Sequence, residues 1–167
     1  MTTIQDLFAA GMKREIPELL TDIPNSKYPS INLGAGNSHI EGVESLDYPE
    51  WDADKDQLPF EDESVSFIHA YHFFEHCSEP VKVLQECQRV LVGGGVIQIV
   101  VPYYTSQMAA HDLDHKHVFC EETWKNLFST EYYDKNKIEW EFRIHANFIM
   151  GIVERNIALF TQLQKGW

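Results

Sequence analysis

Ile31-Asn32-Leu33-Gly34-Ala35-Gly36 is a short apolar run that ends in two closely spaced glycines. The pattern predicts a strand followed by a turn of bare backbone. Glycine lacks Cβ, so such a turn accepts positive φ and lets a ligand lie directly against the main chain. At the carboxyl end of a parallel strand, this is where α/β sheets bind nucleotide-like molecules. Two carboxylates, Asp47 and Asp54, follow the turn, and they decide which nucleotide it suits.

Outward from that turn, the apolar spacing assigns strands to Ile31–Leu33, Val43–Leu46 and Val65–Ala70, with a short strand expected near Trp51–Asp54. Ser78 is placed to cap a helix whose buried side is Val81, Leu84, Cys87, Val90 and Leu91, and Gly93-Gly94-Gly95 is expected to stop it. Val96–Val101 is a β-branched run of the kind buried on both faces of a sheet. A loop over Tyr103–Phe119 leads to a helix near Glu121–Phe128. Two late strands, Ile138–Met150 and Ile157–Gln164, are expected to pair as a hairpin. Upstream, Thr3–Leu20 reads as an amphipathic helix joined through a connector that ends at Ser30.

These elements predict one α/β domain over residues 1–167: residues 1–30 supply the helix and connector, and residues 31–167 a sheet core. The expected architecture is a Rossmann-like three-layer sandwich, mostly parallel, with a late antiparallel strand and a shortened first crossover. Only a few residues separate Gly36 from Val43, whereas a helical crossover needs a dozen or more. One sheet face therefore loses cover, which the N-terminal helix or a second subunit, as in a homodimer, is expected to supply.

The 167 residues are 44% hydrophobic and carry 13 basic against 26 acidic side chains, a net charge of −13. That field repels phosphate backbones, which argues against nucleic acid or an anionic membrane as partner. Cys77, Cys87 and Cys120 lack metal-like or CxxC spacing and read as free thiols in a reducing compartment. With no basic-then-apolar leader and no apolar run of membrane-spanning length, the expectation is a cytoplasmic protein.

From Ile31 onward, the order INLGAG, ESLD, DADKDQLPFEDESVSFIHAYHFFEH and LQECQRVLVGGGVIQIVVP resembles the class I S-adenosylmethionine-dependent methyltransferases, in particular the small variety with a short first crossover. The resemblance implies S-adenosylmethionine as cofactor, with its methionine portion at Gly34, Ala35 and Gly36. It implies that Asp47 accepts from both ribose hydroxyls and that Asp54, with Lys55 adjoining, lies near the adenine. Ala70, Tyr71 and His72, leaving the strand before the LQECQRVL helix, would face the sulfonium. Ser38 stands where a fuller turn has a third glycine.

Methyl transfer mainly requires alignment in a dry site, but a hydroxyl or ammonium acceptor must also lose a proton. Histidine is the natural base near neutral pH. The run His111-Asp112-Leu113-Asp114-His115-Lys116-His117 is therefore read as a substrate-facing loop. His115 and His117 are its candidate bases, Tyr103 or Tyr104 its wall, and His72 a further catalytic candidate. Histidine and aspartate also ligate zinc, iron or manganese. Seven consecutive loop positions rarely wrap a metal unaided, so no metal is assigned.

The expected function is methyl transfer to a small-molecule acceptor, with a non-catalytic cofactor-binding or interaction protein of the same fold as the alternative. A nicotinamide-dependent oxidoreductase fits less well. His39 occupies the third fingerprint glycine position, and the acid arrives about 11 rather than roughly 20 residues after the turn.

Overall fold

The computed structural model describes residues 27–37, 40–129, 138–153 and 156–167. The N-terminal helix expected over Thr3–Leu20 lies outside them. Six strands build one mixed sheet: β1 (Ser30–Leu33), β2 (Val43–Leu46), β3 (Val65–Tyr71), β4 (Leu91–Pro102), β5 (Phe142–Val153) and β6 (Asn156–Lys165). Their order is β2-β1-β3-β4-β6-β5. The first four run parallel, and β6 enters antiparallel between β4 and β5. This is the expected α/β Rossmann-like arrangement, with the late hairpin in place.

Helices α1 (Pro80–Val90), α2 (Gln107–His111) and α3 (Glu121–Leu127) and a 3₁₀ turn over Phe74–His76 complete the described elements. The larger core lies on one sheet face. There Ile31, Leu33, Ile68, Ile97, Ile99 and Leu159 meet Leu84 and Cys87 of α1 and Trp124 of α3. On the other face Val100, Ala146, Met150, Ala158 and Phe160 form a smaller cluster, to which no described helix contributes. Between β1 and β2 no helix is assigned among the described residues, consistent with a crossover too short for one.

Arg89 explains why the LPF segment and the RVL helix exit occur together. Its guanidinium donates to the carbonyls of Leu58 (3.0 Å) and Phe60 (2.9 Å) and pairs with Glu86 and Asp62, both at 2.8 Å. The loop before β3 is thereby strapped to the end of α1. Glu86 also accepts from the Leu58 amide at 3.1 Å.

Three local expectations need correction. Trp51–Asp54 is not a strand but a series of turns. Trp51 N–H donates to the Asp47 carbonyl, and the Lys55 and Asp56 amides donate to the Asp52 carbonyl. Asp52 also accepts from the Asp54 amide at 3.0 Å, an Asx-type bond that competes with any sheet ladder. Ser78 does not cap α1. Glu79 occupies the N-cap without a side-chain bond, because the Ser78 hydroxyl is committed to Asp54 at 2.5 Å.

Nor do the three glycines stop α1, whose cap residue Leu91 is already extended and opens β4. Gly93–Gly95 instead form a bulge: β3 advances from Val65 to Phe67 while β4 advances from Leu91 to Val96. Glycine is required there for room. At Gly94 (φ +78°) a Cβ would lie 2.8 Å from the Trp167 ring, and at Gly95 2.8 Å from the Val92 carbonyl.

Candidate functional site

At the carboxyl ends of the parallel strands, three short segments converge on a cleft of about 350 Å³. β1 leads into Gly34, β2 into Asp47, and β3 into His72 and the 3₁₀ turn Phe74–His76. Gly34 (φ +65°) and Gly36 (φ +51°) both take the left-handed conformation that β-carbon-bearing residues avoid. A Cβ on Gly34 would strike the Phe73 ring at 2.7 Å, so the backbone itself forms that wall.

Asp47 holds the turn. One carboxylate oxygen accepts from the Gly36 amide and the other from the Tyr48 amide at 2.7 Å. Each oxygen keeps a second acceptor site, which leaves two acceptors for hydroxyls in the cleft. The far wall is aromatic: Trp51 and Phe73 stack with ring centroids 5.9 Å apart, and Tyr48 stands at the mouth, largely exposed.

Asp54 also lines the cleft, but its carboxylate is heavily engaged. It accepts from the Ser78 amide (2.7 Å), the Ser78 hydroxyl (2.5 Å) and the Lys116 ammonium (2.9 Å). Partial burial opposes its ionisation, yet Ser78 and Lys116 outweigh that and hold the carboxyl down at about 2. A depressed acid contributes stability above its unfolded value of 3.8 and loses it as pH falls toward 2. The urea midpoint of the wild type should therefore exceed that of Asp54→Asn at pH 5 and above. The gap should close between about pH 4 and pH 2; a gap that persisted at pH 2 would reject the ion pair as its source.

His72 leaves β3 with φ +53°, while its amide still bonds the Val100 carbonyl at 2.8 Å. This left-handed residue turns the chain so that the imidazole lines the cleft. Its Nδ1 lies 3.1 Å from Oε1 of the buried Glu75. With Nδ1 held there, Nε2 is the ring nitrogen not engaged by Glu75. Cys77 also borders the cleft, but burial pushes its thiol up to about 12, so it stays protonated and is no nucleophile.

Of the residues named from sequence, Gly34, Asp47, Asp54 and His72 line the cleft, and Gly36 is tied to it through Asp47. Ala35 is buried behind the turn. Lys55 turns away to Asp52 at 2.6 Å, Ala70 is in the core, and the Tyr71 hydroxyl donates to Gln98 at 2.8 Å. Tyr103 bonds Glu121 at 3.0 Å. His115 and His117 reach the site from behind: the Lys116 and His117 amides donate to the Glu75 carbonyl at 2.7 and 3.3 Å. The His115 ring packs edge-on to His76, a cleft residue, at 4.7 Å.

Sequence reasoning missed Glu75, His76, Trp51 and Phe73. A glutamate inside the aromatic run Tyr71-His72-Phe73-Phe74-Glu75-His76 is the signal that was available. Its apolar neighbours predict burial, and a buried carboxylate demands partners.

Residues 31–99 match the family model described as a methyltransferase domain. No curated protein matches the chain. Among solved structures, a chain in the complex of the Haloferax volcanii Trm112 methyltransferase activator with a methyltransferase superposes with TM-score 0.60 at 13% identity, covering 84% of this chain and 83% of that one. An S-adenosylmethionine-dependent methyltransferase from Archaeoglobus fulgidus gives 0.58 at 16% identity, covering 83% and 86%. The [4+2]-cyclase SpnF gives 0.58 at 11% identity, covering 83% and 74%. The family match implies S-adenosylmethionine as cofactor, and the cleft fits it: bare backbone at Gly34, paired acceptors on Asp47 and an aromatic wall.

Proposed function

We propose that this chain, whose residues 31–99 match a methyltransferase-domain model, is a class I S-adenosylmethionine-dependent enzyme that methylates a hydroxyl or amine of a small-molecule acceptor, with His72 as general base. When bound, the cofactor supplies a methyl group on a positively charged sulfur, open to in-line displacement. Gly34 and Gly36 offer main-chain contact to its methionine portion, Asp47 accepts from the ribose hydroxyls, and the flat ring of Tyr48 covers the adenine. Asp54 contributes by holding Ser78 and Lys116 in place.

The observation that carries this reading is the His72–Glu75 pair on the wall of the cleft that holds Gly34 and Asp47. Glu75 fixes the imidazole and favours the cation formed as it takes the acceptor's proton. Trp51 and Phe73 exclude water from that wall. His115 and His117 act in this scheme through their hold on the Glu75–His76 turn.

Calorimetric titration tests the cofactor reading: S-adenosylmethionine should bind one-to-one, and NAD should give no heat. Preference for NAD, or no binding of either, overturns it. Transfer from methyl-labelled cofactor to a panel of phenols, amines and carboxylates then identifies the acceptor. On that acceptor His72→Asn, a residue type that tolerates the left-handed backbone, should lower kcat by roughly 100-fold. Cofactor affinity should stay within about threefold. Unchanged kcat would remove His72 from the base role.

A further inference from the structure

We propose that Glu75, His76 and His115 form a binding site for one divalent transition metal ion of the zinc or iron(II) class, set behind the cleft. Their donor atoms lie within 4.8 Å of one another. Two carry no partner among the described residues: Oε2 of Glu75 and Nδ1 of His115, both buried. Glu75 is 1% exposed and the His115 side chain 8%. A carboxylate oxygen left bare at that depth is unfavourable, and a cation placed between it and the two imidazoles would satisfy it.

The surrounding bonds leave the inward-facing atoms available. Oε1 of Glu75 is taken by His72, so Oε2 is the free ligand oxygen. Nε2 of His115 faces Asp112 Oδ2 at 3.8 Å. That separation is beyond hydrogen-bond reach, so the carboxylate lies on the outer side of the ring without fixing it, and the buried, unbonded Nδ1 is the nitrogen available as ligand. Lys116, whose amide clamps the loop onto the Glu75 carbonyl, sends its ammonium to Asp54 and Ser78 instead. No lysine is therefore paired with Oε2.

Two histidines and one carboxylate are a donor set for zinc or iron(II) that leaves coordination positions open. Donors on a tetrahedral zinc stand roughly 3.3 Å apart, given bonds of about 2.0–2.1 Å, so side-chain shifts of about 1 Å close the site. His76 belongs both to this cluster and to the cleft wall, so the cluster adjoins the cleft. The inference makes no use of methyl transfer and stands or falls separately from it.

Chelator-treated full-length protein, titrated calorimetrically with zinc chloride, tests it. One equivalent per chain should bind with Kd at or below about 1 μM, and cobalt(II) should develop visible d–d absorption at the same stoichiometry. His115→Ala and His76→Ala should each weaken binding at least about 100-fold, with circular dichroism confirming the fold. His111→Ala, an exposed histidine outside the cluster, should leave it unchanged. Absence of binding by both metals overturns the site. So does a loss in His111→Ala equal to that in His115→Ala, which would mark adventitious surface coordination.

Discussion

Replacing Asp47 with alanine should weaken S-adenosylmethionine binding by about 2 kcal/mol, roughly thirtyfold in Kd. Two losses add. Ribose hydroxyls entering the cleft forfeit a charged acceptor, and the Gly36 and Tyr48 amides forfeit the carboxylate that fixes the glycine turn. Asp47→Asn separates them, because its single carbonyl oxygen can keep one amide anchor but offers fewer acceptors to the hydroxyls. It should fall between wild type and alanine. Calorimetry reads both, and an alanine variant that bound as tightly as wild type would dismiss Asp47 from the ribose site.

Phe74→Ala should destabilise the fold by about 3–5 kcal/mol, as expected for deleting a fully buried aromatic ring. Phe74 is wholly buried, edge-on to Phe73 at 5.4 Å and to Trp124 of α3 at 5.9 Å. It links the cleft wall to the helix behind it and sits one residue before Glu75. The variant should therefore lose cofactor affinity even where it remains folded, because the turn carrying Glu75 and His76 rests on this ring. Urea denaturation measures the first effect, and a change below about 1 kcal/mol would contradict the packing.

The sheet was legible because its strands carry strong periodic signals. Val65–Tyr71 and the run through Val96–Val101 are apolar enough that only burial in a parallel sheet suits them. What sequence could not convey was which polar side chain would claim which partner. Ser78 has the chemistry of a cap, yet Asp54, 24 residues earlier in the chain, takes its hydroxyl. Gly93–Gly95 have the composition of a helix stop, but Trp167 packs against Gly93 and Gly94, and the Val92 carbonyl against Gly95, where a β-carbon would stand. The candidate site shows the same division. Gly34 and Asp47 follow directly from strand ends, whereas Glu75 with His115 depends on a loop folding back across some forty residues onto a 3₁₀ turn.

The position of β6 bears on how the protein is made. β6 fills the slot between β4 and β5, so until residues 156–165 have left the ribosome β4 is paired on its β3 side alone and β5 has no neighbouring strand. At a synthesis rate of about 5–20 residues per second, β4 waits several seconds with one hydrogen-bonding edge open. A nascent chain paused before residue 156 is thus a sticky species. It should call on chaperones during translation, and should do so far less once that strand is supplied.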